Sequence, residues 1–146
     1  MLIPSLALAH FVLQAPANMY VQDALGNPQK APPCGDDGTA VDADAGVPTY
    51  APGDQVMITV DETVFHPGHY RISLGETGPA SLPAEPTVTA GSTPCGTASI
   101  MTPAVYPVLA DDVFDHTAAF SGPQTVMVTL LLGHTCTNCR CGPAAG

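Results

Sequence analysis

Proline and glycine interrupt this chain too often for long helices. Its 146 residues hold 16 Pro and 14 Gly; each Pro removes a backbone donor and fixes φ, and each Gly weakens a helix interior. Short runs with β-branched residues or a period of two remain between the interruptions. The clearest is QVMITVDETVF, where Val56, Ile58 and Val60 alternate with Met57, Thr59 and Asp61, and the second spans Gln124 to Leu132. Further strands are expected at His10 to Leu13, Thr49 to Tyr50, Tyr70 to Leu74, Thr87 to Thr89 and Val105 to Val108. Turn clusters at Pro52, Pro67 and Ser121 separate them. The pattern predicts an all-β chain folded as a two-sheet sandwich.

A chain of this length holds one continuous core, so a single domain is expected. Its 13 acidic residues face only Lys30, Arg71 and Arg140, for a formal charge of -10. That excludes the positive footprint needed for phosphate backbones, and with it nucleic acid as a partner. No P-loop, G-x-G-x-x-G or G-x-S-x-G occurs, so nucleotide binding and serine hydrolysis have no support.

The first nine residues, MLIPSLALA, are apolar and place Ala7 and Ala9 in the A-x-A pattern that precedes signal-peptide cleavage. Cleavage there leaves His10 first and residues 10–146 as the mature domain, secreted or periplasmic. A basic segment and a longer apolar stretch are missing from these nine residues, so they read as part of a leader, with an apolar N-terminal strand as the alternative. No other run approaches the roughly 18 apolar residues of a membrane span, so no membrane association is expected after processing, and the domain reads as a monomer.

Five cysteines suit an oxidising compartment. Cys34 and Cys95 sit in turn-like settings far apart in sequence and are expected to form a disulfide that pins two loops. Cys136 and Cys139 have C-x-x-C spacing, but only His134 and Cys141 lie near them, too few ligands for a zinc site with two knuckles. Asp36, Asp37, Asp42 and Asp44 fall in an aperiodic acidic stretch without the bidentate Glu or the helical flanks of a calcium loop.

Chemistry concentrates in the histidines at 10, 66, 69, 116 and 134. A terminal His10 offers an α-amine and an imidazole to one metal, and the amine's reference pKa of about 7.7 to 8.0 makes its proton easy to displace near neutrality. A further imidazole from VFHPGHYRISL completes three nitrogens. His66 is preferred because the pre-proline position holds it extended at a strand end; His69 is the alternative ligand. Nitrogen-rich, near-planar coordination favours divalent copper. The competing reading is a plain turn with two solvated histidines. His116 is expected at solvent, His134 in a C-terminal loop, Phe114, Phe120 and Tyr106 in core positions, and Asp111 and Asp112 solvated.

A histidine directly after a leader, followed by a central HPGHYRISL, resembles the lytic polysaccharide monooxygenase-like copper proteins. HFVLQAPANMYVQDALGNPQKAPPCG, VDETVFHPGHYRISL, LPAEPTVTAGSTPCGTA, PVLADDVFDHTAAFSGPQTVMVTL and CTNC are similar to a bacterial monooxygenase-like branch, in order, from His10 to about Cys139. The resemblance implies an immunoglobulin or fibronectin-like β-sandwich and a copper brace on His10 and His66. It also implies oxidative cleavage of a chitin- or cellulose-type polysaccharide with an external reductant. It further implies a final strand and an axial aromatic after the C-x-x-C, where this chain ends at RCGPAAG. A non-catalytic copper carrier with the same brace is the second expectation, because the chain has no Trp, four Tyr and four Phe for packing on glycan.

Overall fold

The computed structural model describes residues 10–28, 44, 46–78, 81–91 and 96–136, together with the backbone of 140–145. The expected leader, the Cys34–Cys95 pair, Cys139 and Asp36, Asp37 and Asp42 lie outside the described residues. Cys136 is disulfide-bonded. Six strands run in chain order: β1 (His10–Ala15), β2 (Gln55–Val64), β3 (Gly68–Gly75), β4 (Val108–His116), β5 (Gln124–Thr129) and β6 (Arg140–Ala145). They form two three-stranded antiparallel sheets, ordered β1-β2-β5 and β4-β3-β6. The all-β expectation holds among the described residues, and no helix there is long and apolar enough to cross a membrane.

Period two builds the core. Val56, Ile58 and Val60 project from one face of β2 and join Phe11 and Leu13 of β1, Val128 of β5, and Tyr70 and Ile72 of β3 in one buried cluster. Leu109, Ala110, Val113 and Phe114 of β4, the neighbour of β3, pack against it. Fully burying each such aliphatic or aromatic side chain contributes about 1.5–3 kcal/mol, so this shared cluster is the main cohesive element between the strands.

Several expected elements differ. Thr49 and Tyr50 are not in a strand, Thr89 makes only an isolated bridge with Thr97, and Val105 to Val108 is a turn whose last residue opens β4. The strand itself is VLADDVFDH, disguised in the sequence by its three aspartates. Two left-handed residues, Asp112 (φ 59) and Phe114 (φ 56), break its alternation, and its register with β3 shifts three times. Arg140–Ala145, a tail by sequence, pairs along β3 from Tyr70 to Gly75. Proline does not bar it, because β6 is an edge strand.

Candidate metal centre

The turn after β2 and the start of β1 meet at one end of the sheet. His10 pairs with Val64 and Phe11 with Glu62, so Thr63 is an extra residue, a bulge that bends β2 as it leaves the ladder. His66 follows, held extended by Pro67 before β3 begins at Gly68. The His10 and His66 rings stand 6.0 Å apart between centroids with planes 15° apart. Two imidazoles that each present one nitrogen at about 2.0 Å to a shared ion from opposite sides have centroids about 6 Å apart. The His10–His66 pair has that centroid separation, with the two rings stacked.

The Nδ1 atom of His10 is buried and has no hydrogen-bond partner. Leaving a buried acceptor or donor unpaired costs about 1–3 kcal/mol, which a ligand at that atom would offset. Nδ1 is also the ring nitrogen that can close a six-membered chelate with the residue's own backbone nitrogen, once that nitrogen is an amine. Among the described residues no three His, Cys, Asp or Glu side chains group as a metal site. His10 and His66 could supply two side-chain donors, and a main-chain nitrogen of His10 would have to be the third.

Glu62 lies beneath them. Position 62 keeps the phase of Val56, Ile58 and Val60, so its carboxylate points inward, 3% exposed. One oxygen, Oε1, accepts the His66 backbone N–H at 3.2 Å and contacts Nε2 of His116 at 3.0 Å. His116, its side chain 7% exposed, also bonds through Nδ1 to the Phe114 carbonyl at 2.8 Å. A carbonyl only accepts, so Nδ1 is the donor to Phe114, and Nε2 faces the carboxylate. Both ring nitrogens are thus committed, which leaves His116 unsuited to ligate a metal. The expectation that His116 faces solvent is corrected: Phe120 covers it at 4.1 Å, Tyr70 stacks at 6.4 Å and Phe65 meets its edge at 5.9 Å. Burial and the nearby Glu62 charge push the Tyr70 phenol far up, and its hydroxyl has no partner.

His69 stands elsewhere. Neighbouring strand residues point to opposite faces, so Tyr70 reaches the core cluster while His69 and Arg71 turn away from it. There His69 Nε2 lies 3.5 Å from Asp111 Oδ1, and Arg71 donates to Asp111 Oδ2 through Nε at 3.0 Å and through a terminal nitrogen at 2.6 Å. Asp111 is therefore buried and paired, a correction to its expected solvation, whereas Asp112 is exposed. Burial opposes the charge on Asp111, but Arg71 and the N–H groups of Met101 and Asp112 outweigh it and hold the carboxyl below its ordinary range.

His134 lies in the expected loop, bonded to Glu76 at 2.8 Å and stacked on Tyr106 at 4.2 Å. Phe114 and Phe120 pack on the core as expected, whereas Tyr106 sits with His134. Glu62 was open to detection from sequence as the one carboxylate in phase with the apolar face of β2. His116 carried no comparable signal, because the bulges of β4 hide its phase.

Compared with protein-family models, characterised proteins and solved structures, the chain has no significant match.

Proposed function

We propose that the chain, processed to begin at His10, is a secreted or periplasmic copper protein that oxidises polysaccharide. The observation that carries this reading is the His10–His66 pair at 6.0 Å, with the His10 Nδ1 atom buried and unpartnered. The amine and Nδ1 of His10 and the ring of His66 would hold the ion. Bound copper would supply one-electron chemistry with an external reductant and O2 or peroxide. The protein's part is geometric. The β1–β2 ladder fixes His10, the pre-proline link fixes His66, and Glu62 ties that link to His116. Phe65, 41% exposed beside His66, offers an apolar rim on which a sugar ring could pack. The two sheets around one core suit an immunoglobulin or fibronectin-like sandwich, in keeping with the resemblance in sequence.

One observation favours a second reading, copper carriage without turnover. Phe11, Tyr20 and Tyr70 are buried and the chain has no Trp, so few rings are left for a flat glycan surface.

The test is protein with a native His10 terminus beside a Met-extended control. Copper binding measured by calorimetry and electron paramagnetic resonance should be at least 100-fold tighter with the free terminus. Incubation with chitin or cellulose and a reductant should release oxidised oligosaccharides visible by mass spectrometry. Equal affinity in both forms rejects the brace; tight binding without oxidised products selects carriage.

A further inference from the structure

We propose that Glu62 is a positioning residue that sets the His66 imidazole opposite His10, an inference that rests on the copper reading above. Three observations converge on it. Oε1 of Glu62 is shared between the His66 backbone N–H and His116 Nε2, so one atom joins the link after β2 to the end of β4. The carboxylate is 3% exposed, and a buried charge persists only where it is bonded. Its partner is held in turn, since the other nitrogen of His116 meets the carbonyl of Phe114, a residue at φ 56. A bulky residue in that left-handed region is strained, and such strain concentrates where neighbouring structure fixes a side chain for use.

The chain of contacts thus runs from the strained backbone of β4 through His116 and Glu62 to the backbone of His66. Pro67 restricts the ψ of His66, and Glu62 pins its N–H, so the two sides of the residue are fixed by independent means. Together they fix the direction of its Cα–Cβ bond, from which the ring projects. Glu62 makes no claim on the metal itself.

The experiment uses the processed protein and two variants, Glu62→Ala and the double variant Glu62→Met/His116→Phe. The double variant replaces the buried pair with apolar side chains of similar volume, which preserves the fold while still removing the acceptor for His66. In copper-free protein, amide exchange at His66 should accelerate at least tenfold in both variants, with exchange at Ile58 and Ile72 unchanged. With copper, affinity should fall about 10–100-fold and the electron paramagnetic resonance parameters should shift, the range typical of groups that orient a ligand. The conservative Glu62→Gln, which keeps an acceptor oxygen, should restore both to near wild type. Unchanged His66 exchange overturns the inference, whether or not copper binds. So does accelerated exchange with copper affinity and spectrum unaltered. If wild-type protein binds no copper while exchange responds as expected, the copper reading fails and the clamp on His66 stands.

Discussion

The side-chain amide of Gln22 takes the place of a neighbouring strand for Leu13. Its Oε1 accepts the Leu13 N–H at 2.9 Å and its Nε2 donates to the Leu13 carbonyl at 2.8 Å. Among the described residues β1 pairs only with β2 and forms one edge of its sheet, so these two groups would otherwise be open to water or to another chain. Gln22→Ala should lower the unfolding free energy by about 1–2 kcal/mol, from two partly buried hydrogen bonds. Urea unfolding would measure this, and light scattering should show more self-association. Wild-type stability in the variant would mean that solvent serves Leu13 equally well.

Gly26 is the tightest backbone contact on β1. A Cβ there would stand 1.8 Å from the Phe11 carbonyl oxygen and 2.6 Å from its carbon, and the residue has φ +78. The loop cannot give way easily, because Asp23 bonds the N–H groups of Leu25 and Asn27 and the Asn27 side chain. Gly26→Ala should therefore cost at least about 2–3 kcal/mol. Phe11 follows His10, so on the proposed copper reading affinity for the ion should fall alongside the melting temperature. A variant that melts with wild type would show that the loop can move off β1.

These predictions mark where the sequence was legible. Alternation in QVMITV exposed the core face of β2, a local property of adjacent residues, whereas His66, expected at a strand end, lies in the link between β2 and β3. The meeting of His10 with His66 was reachable because one leader motif and one turn motif each pointed to a histidine. β4 was not legible. Its apolar phase slips at Asp112 and Phe114, and its buried Asp111 makes sense only beside Arg71, a partner supplied by another strand. The same holds for β6, whose small residues pair with β3 through backbone groups that every sequence has.

Asp112 gives a test of the strain in β4. Its φ of 59 suits Gly and is tolerated by Asp, and the residue is exposed. Asp112→Gly should be neutral or stabilise by up to about 1 kcal/mol, whereas the β-branched Asp112→Val should destabilise by about 1–2 kcal/mol. Thermal unfolding of the pair would show it. Equal melting temperatures would mean that β4 adopts an ordinary strand conformation in solution.

Asp111 should make the fold acid-sensitive. Although burial pushes its carboxyl up, Arg71 and two backbone N–H groups pull it further down, so its folded value lies below its unfolded one. A group depressed in this way contributes stability that is fully present above the unfolded value, near 3.9, and is lost as pH falls through the folded value. Unfolding free energy should thus be flat in this respect above about pH 5 and fall below about pH 4. Asp111→Asn should cost about 3–5 kcal/mol at neutral pH, since it leaves the buried Arg71 uncompensated, and should flatten the acid limb of the curve. The loss should also reach the Met101 and Ser99 backbone, which the Asp111–Arg71 pair ties down through bonds of 2.8 Å and 3.2 Å. Denaturant unfolding of both proteins from pH 2.5 to 7 separates the effects. An acid limb of unaltered slope in the variant would assign the sensitivity to other carboxylates.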